Sequence, residues 1–193
     1  MIRLTRPACP NSVALATDYK HPENELALRA SAYDKCMYCE SKISHIDYAH
    51  VEHIKPKAQD KHPQLEFDWG NLGYCCPVCN NKKGGKYDDA TPYVDPYSED
   101  PADHLVPSGN WLFARMGSER GEITIRDIQL NRAELLERRL HRLEEIQAAV
   151  AACFRTHSAS LRAMLLDELK KEGLPDKEYS AFVSAFIEQH LQG

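Results

Sequence analysis

The hydrophobic positions in the last third of the chain follow a helical period. Apolar residues recur every three or four positions there, which predicts a helix of about 22 residues. They are Leu136, Leu140, Leu143, Ile146 and Val150. Two further helices are predicted, over 158–172 and 176–192, so this part is expected to form a helical hairpin or a three-helix unit. The apolar stripe either packs on its own domain or serves as a docking face for a partner.

Shorter elements are predicted before this helical region. They are a helix over 23–35, strands over 43–46 and 49–54, a short polar helix over 80–87 and a strand over 122–128. Pro56 ends the second strand, and four prolines within 91–110 exclude a long regular element there. Asn131 is predicted to cap the long helix, because Glu134 follows three residues later, as in a capping box.

The composition is that of an ordinary globular protein. Of the 193 residues, 42% are hydrophobic and 27% are charged, and the formal net charge is −5. This charge excludes a basic coat that would bind nucleic acid passively. No apolar run approaches ~20 residues, so no membrane span is expected, and residues 1–20 lack the apolar stretch of a secretory signal. We therefore expect a cytoplasmic protein.

The cysteines give the first indication of chemistry. The chain has seven, an odd number that argues against a disulfide framework. Four of them form two Cys-x-x-Cys knuckles, Cys36/Cys39 and Cys76/Cys79, with 36 residues between the knuckles. Four thiolates suit a structural zinc ion; buried reduced thiols and redox catalysis by one pair are the alternatives. Cys75 could replace its neighbour as a ligand, although the two-residue spacing to Cys79 favours Cys76.

A carboxylate followed by a histidine lies between the two knuckles. Glu52 and His53 offer what metal-assisted phosphodiester hydrolysis needs, because the carboxylate binds a divalent cation and the imidazole deprotonates water. Adjacent strand residues point to opposite faces, so the two side chains converge only where the strand twists and ends, as Pro56 predicts. His50 shares a strand face with Glu52 and either packs or contacts the metal or the substrate.

The order of these motifs resembles the HNH endonuclease family, whose active site is a ββα-metal fold. The family signature combines an acidic–His pair on a β-hairpin, a central Asn-Leu, and a His or Asn at the start of a helix after Cys-x-x-Cys. It is matched by Glu52, His53, Asn71 and Asn80. The resemblance implies that His53 is the general base and that Glu52 and Asn80 hold the catalytic metal. Asn71 would fix the loop that orients the His53 ring.

Departures from the commonest family pattern bear on the metal. Glu52 replaces the usual Asp, Asn80 replaces a His, and Gly84 stands where some members have a further histidine ligand. The cation would then have two protein ligands, which suits Mg²⁺ because this ion commonly keeps several waters, with Mn²⁺ as a substitute. Asp95 could supply a third oxygen; its alternative role is to cap the turn at Pro96.

Softer motifs resemble one subgroup of the family, the HNH subunits of Septu-type and retron-associated anti-phage systems. These motifs fall within 36–40, 51–57, 95–101 and 124–132. In that subgroup the nuclease works with an ATPase of the ABC/SMC-like class. This chain has no Gly-x-x-x-x-Gly-Lys-Ser/Thr phosphate loop, so ATP dependence would have to come from such a partner.

Several lysines flank the catalytic motifs. They are Lys55, Lys57, Lys82, Lys83 and Lys86. They form either an ordinary solvated surface or a set of contacts to backbone phosphates, which carry no sequence information. With a net charge of −5 these few lysines cannot hold DNA tightly alone, which is a physical reason to expect a partner.

The expected fold is α+β. A ββα-metal HNH core with its zinc knuckles is predicted within residues 1–115, and a mainly helical region, a candidate partner-docking unit, within 116–193. The leading functional hypothesis is a metal-dependent endonuclease that cuts nucleic acid, DNA rather than RNA, in phage defence. The alternatives are a tRNA-cleaving abortive-infection toxin and a non-catalytic zinc adaptor that binds nucleic acid or a protein.

Overall fold

The computed structural model describes residues 1–43 and 49–191. In chain order its elements are α1 (Ser12–Leu15), α2 (Pro22–Ser31), β1 (His50–His53), β2 (Leu72–Cys75), α3 (Pro77–Lys83), β3 (Leu105–Ser108), β4 (Trp111–Ala114), α4 (Glu119–Ile128), α5 (Ala133–Arg155), α6 (Ala159–Lys171) and α7 (Ser180–Leu191). Residues 44–46 of the strand predicted over 43–46 lie outside the described residues, as does the predicted end of the last helix at Gln192.

The predicted ββα core is present. Strands β1 and β2 pair antiparallel, with His50 opposite Cys75 and His53 opposite Leu72. Helix α3 follows directly, and the Sγ of Cys76 accepts the Cys79 N–H as its N-terminal cap. The polar helix was expected over 80–87 but ends at Lys83, because Gly84 adopts φ +53°, a left-handed conformation that stops a helix.

The predicted strand over 122–128 is wrong, because these residues belong to helix α4. Ser118 caps this helix by accepting the Gly121 N–H, and the first turn is acidic. Gly121, Thr124 and Ile128 are its buried residues, and their spacing of three and four is helical. The alternation of β-branched residues suggested a strand, but the buried face follows the helical period.

The three predicted C-terminal helices are present, with differences in detail. Arg132 rather than Asn131 is the N-cap residue of α5. The Asn131 side chain instead accepts the Leu112 N–H and donates to the Leu112 carbonyl oxygen, so it ties the start of α5 to β4. Leu140, expected on the buried stripe, is 47% exposed, because the buried face of α5 runs through Leu135 and Leu143.

Buried apolar residues from both sides of position 115 form one hydrophobic cluster. Leu28 and Leu72 come from the N-terminal side, and Leu135 and Phe182 from the helical side. The division into 1–115 and 116–193 stays a prediction. Within 1–43 and 49–191, no helix combines the length and the hydrophobicity needed to span a bilayer.

Gly121 provides a test of how closely α4 packs. A Cβ at this position would lie well inside contact distance of the His104 carbonyl oxygen, which the Arg115 N–H also holds. A Gly-to-Ala change in a helix normally stabilises it by about 1 kcal/mol. We expect Gly121→Ala instead to lower the free energy of unfolding by about 1–3 kcal/mol, measured by urea denaturation. Gly85→Ala, where nothing lies within 4 Å, is the control and should be nearly neutral.

Candidate active site and metal centre

Four cysteine thiols come together where the segment after α2 meets the start of α3. Cys36 and Cys39 belong to that segment, Cys76 is the N-cap residue of α3, and Cys79 lies in its first turn. Their sulfur atoms all lie within 4.8 Å of one another. Tetrahedral zinc with Zn–S bonds of about 2.3 Å separates its sulfurs by about 3.8 Å, so the donor set and its spacing fit a zinc ion.

The surroundings of the four thiols distinguish Cys76 from its neighbour. Cys75 is buried with its Sγ 3.7 Å from the Cys36 Sγ, but it lies outside the four-thiol group. The Nη1 of Arg132 lies 3.5 Å from the Cys79 Sγ. This guanidinium would offset part of the negative charge of a four-thiolate site.

A cavity of about 280 Å³ lies between β1 and α3. The side chains around it include those that the sequence predicted for catalysis and some that it did not. They are Tyr19, His50, Glu52, His53, Lys57, Asn80 and Lys83. The two predicted cation ligands and the predicted base therefore face one space. In the described part of the chain, the four cysteines are the group of three or more Asp, Glu, His or Cys side chains whose donor atoms lie within 4.8 Å of one another, and the residues of this cavity do not form a second such group.

Glu52 is buried beside a lysine. Its side chain is 3% exposed, and its Oε1 lies 2.7 Å from the Lys83 Nζ. Burial raises the pKa of Glu52 to about 7, although the Lys83 ammonium acts in the opposite direction. A carboxylate this poorly solvated gains strongly from a second positive charge, so the site suits a cation.

His53 is held by a backbone carbonyl. Its Nε2 lies 2.9 Å from the Glu66 carbonyl oxygen, and the Tyr19 ring packs edge-on at 4.6 Å. Because a carbonyl oxygen only accepts, Nε2 carries the proton and Nδ1 keeps a lone pair. Burial lowers the pKa of His53, which favours the neutral form that can take a proton from water.

Asn71 joins the two segments that hold His53. Its Oδ1 accepts the Lys55 N–H at 2.8 Å, and its Nδ2 donates to the carbonyl oxygens of Lys55 at 2.9 Å and Leu65 at 3.2 Å. Leu65 directly precedes Glu66, whose carbonyl receives the His53 ring. The side chain therefore links the chain that leaves β1 to the loop that orients the imidazole.

The sequence left two roles open for His50: packing, or contact with the metal or the substrate. In the structure, His50 lines the cavity beside Asn80. The Asn80 Nδ2 is 2.9 Å from the His50 Nδ1. The two-residue spacing between His50 and Glu52 on one strand was the signal that could have found it. Tyr19, by contrast, lies in a distant part of the sequence and had no such signal.

The predicted phosphate-contacting lysines lie in different environments. Lys55 pairs with Asp89 at 3.0 Å, and Lys57 pairs with Glu66 at 2.5 Å. Lys82 and Lys86 are exposed. The prediction for Lys83 is wrong, because its side chain is 1% exposed and its ammonium is engaged by Glu52 and by the His53 carbonyl oxygen. The Lys83 ammonium is therefore committed to these two partners inside the protein and is not a surface charge.

Asp95 does not lie with the other predicted ligands. It borders a separate cavity, next to Asn71 and Arg120, and is absent from the lining of the cavity that holds Glu52. Its Oδ1 accepts the Tyr97 N–H at 3.0 Å, which closes the turn around Pro96. The suggestion that it is a third cation ligand is therefore incorrect, and the turn-capping alternative describes its contacts.

Comparison with known proteins agrees with this geometry. Residues 36–86 match the family model described as HNH endonuclease. The chain is 28% identical over 216 residues to the Septu protein PtuB of Bacillus thuringiensis, covering 97% of this chain and 82% of that protein. A Septu protein PtuB of Bacillus mycoides (strain KBAB4) is 27% identical over 158 residues, which cover 67% of this chain and 54% of the relative.

A third relative comes from a retron. It is a retron Vc95 protein of Vibrio cholerae serotype O1 biovar El Tor that is named as an HNH endonuclease, 36% identical over 74 residues and 36% of each chain. The matched family segment contains both knuckles and every residue from Glu52 to Asn80. This chain therefore carries an HNH endonuclease domain, and its similarity to these relatives supports a nuclease.

The adjacent cysteines offer a matched test of the metal centre. We expect Cys76→Ser to lose the bound zinc and to lower the melting temperature, because it removes one of the four grouped thiols. Cys75→Ser should keep one zinc per chain. Elemental analysis of the purified variants measures this directly, and the reverse result would show that Cys75 is the ligand.

The buried ion pair between Lys83 and Glu52 can be tested by a double-mutant cycle. Lys83→Met leaves the Glu52 carboxylate without its buried partner, so the free energy of unfolding should fall by about 3 kcal/mol. Adding Glu52→Gln removes the uncompensated charge and should recover most of that loss. Denaturant unfolding of the three variants provides the numbers. A neutral effect of Lys83→Met would mean that the pair contributes nothing to stability.

Proposed function

We propose that this chain is a metal-dependent endonuclease that hydrolyses phosphodiester bonds of DNA in cytoplasmic anti-phage defence. The observation that carries the proposal is the shared cavity, around which Glu52, His53 and Asn80 all lie. A base, a buried carboxylate and a carboxamide around one space are the groups that metal-assisted hydrolysis requires.

Each residue has a separate role in the proposed reaction. The Nδ1 of His53 takes a proton from the attacking water, while the Glu66 carbonyl holds Nε2 and thereby fixes the tautomer. Glu52 and Asn80 would hold Mg²⁺ or Mn²⁺, and the ion would supply charge neutralisation at the phosphate and the leaving oxygen. Asn71 keeps the Glu66 segment in place. No covalent enzyme intermediate is needed.

The zinc proposal gives the four cysteines a structural role. A Cys₄ set leaves no open coordination position, so the ion would hold the ends of the segment 40–75 together without touching the substrate. Four lysines would contact backbone phosphates. They are the half-buried Lys55 and Lys57 and the exposed Lys82 and Lys86.

We further propose that an ABC/SMC-like ATPase subunit delivers the substrate. The net charge of −5 and the missing phosphate loop argue that neither tight DNA binding nor ATP hydrolysis resides in this chain. Similarity to a Septu protein over 97% of the chain, and to a retron protein over 36% of it, supports a defence role. Leu143, Ile146 and Val150 of the apolar stripe of α5 are buried and Leu140 is 47% exposed, which leaves Leu140 as a candidate contact.

The experiment that tests the proposal compares wild type with His53→Ala. Supercoiled plasmid and total tRNA are incubated with the purified chain and Mg²⁺ or Mn²⁺, and the products are separated on gels. We expect cutting of plasmid and a loss of at least ~100-fold in rate for His53→Ala, the usual scale for removing a general base. His141→Ala, an exposed histidine on α5, should keep the wild-type rate.

The other outcomes choose between the hypotheses. Loss of tRNA rather than plasmid would identify an RNA-cleaving toxin. Equal cutting by His53→Ala would refute the base assignment. If neither protein cuts, the assay is repeated with the co-purified ATPase. If no cleavage occurs with the ATPase either, the result would support the non-catalytic adaptor.

A further inference from the structure

We propose that His50 is a positioning residue for Asn80: it accepts the Asn80 amino group and so turns the carboxamide oxygen toward the catalytic cation. The observation is the 2.9 Å contact between Asn80 Nδ2 and His50 Nδ1 beside Glu52. The inference rests on the proposed function in one respect, because it takes Glu52 and Asn80 as the cation ligands.

A carboxamide has two chemically opposite ends. Its oxygen can bind a divalent cation, whereas its NH₂ group only donates hydrogen bonds and repels positive charge. An asparagine that could rotate freely would offer the wrong end to the cation for part of the time. An acceptor placed against the NH₂ removes this freedom, and the imidazole Nδ1 of His50 is such an acceptor.

The local fold holds the pair in register. His50 and Glu52 are two residues apart on β1 and therefore share a face. Asn80 and Lys83 are three residues apart on α3 and also share a face. Asn80 contacts His50 while Lys83 contacts Glu52, so the same two faces meet at two successive points. A rotation of α3 that broke one contact would also strain the other.

The same contact explains why His50 acts through Asn80 and does not bind the cation itself. Because Nδ1 accepts a hydrogen bond from Asn80, the proton of the neutral ring is on Nε2. Neither nitrogen then has a free lone pair for a metal. Gly84, which lies on the same cavity, has no side chain to help, so the orientation of Asn80 matters more here.

Substitutions at His50 separate the hydrogen bond from the space that the ring fills. His50→Leu keeps an apolar volume but has no acceptor. His50→Asn carries an acceptor oxygen bonded to Cγ, as Nδ1 is in histidine, and can receive the same hydrogen bond. His141→Leu is the matched control, since His141 is exposed on α5.

The measurement is Mn²⁺ affinity by electron paramagnetic resonance of the free ion, using the full-length chain with one zinc per chain and no nucleic acid. We expect His50→Leu to bind Mn²⁺ about 10- to 100-fold more weakly, the usual effect of removing a group that orients a metal ligand. His50→Asn should stay within about threefold of wild type, because it restores the acceptor. Zinc content and melting temperature check that each variant is folded.

Two results would overturn the inference. Unchanged Mn²⁺ affinity in folded His50→Leu means that Asn80 needs no orientation by His50. A ¹⁴N coupling in the spin-echo spectrum of bound Mn²⁺ that disappears in His50→Asn means that His50 is itself a ligand. Glu52→Gln is run alongside: if it also binds Mn²⁺ normally, the proposed cation site fails, whereas a loss confined to Glu52→Gln rejects the role of His50 alone.

Discussion

The constraint on which the rest of the site depends is the closure of a long segment by four thiols. Residues 40–75 contain the whole β1–β2 hairpin and the loop that carries Glu66 and Asn71. A two-stranded sheet of four-residue strands is marginal in water by itself. The thiols of Cys36 and Cys39 lie within 4.8 Å of those of Cys76 and Cys79, so both ends of that segment lie beside α3, and a zinc ion bound there would hold them together. The hairpin can then be short and still present its side chains accurately.

The buried ion pair between Lys83 and Glu52 also supports the site, and it links the stability of the fold to a predicted cation ligand. Lys83 donates to the His53 carbonyl oxygen at 2.8 Å and pairs with Glu52, so one ammonium from α3 contacts two consecutive residues of β1. A buried charge is costly to the fold unless it is matched. Here the matching group is a predicted cation ligand. Burial of the Glu52 carboxylate costs folding free energy, and for the same reason the carboxylate binds a second positive charge favourably.

The helical region completes the support for the core. Arg132, the residue before α5, contacts the Cys79 thiol. Asn131 binds the backbone of Leu112 on β4. The α5 helix also packs in the same hydrophobic cluster as α2 and β2. An HNH unit of about 50 residues has little core of its own, so it gains rigidity from elements distant in sequence.

The sequence by itself determined the chemistry and its order. Two Cys-x-x-Cys knuckles, an acidic–His pair and a downstream asparagine are local patterns, so their grouping and the helical C-terminal region were predictable. Which groups touch was decided by the tertiary structure. Lys83 was predicted to be a surface lysine because a sequence does not show burial. Asp95 was predicted to be a ligand because a sequence does not show which cavity a carboxylate borders. The residues 122–128 alternated like a strand, yet Gly121, Thr124 and Ile128 pack as one helical face. Burial, and the cavity that a side chain borders, depend on residues far apart along the chain, and local spacing carries no information about them.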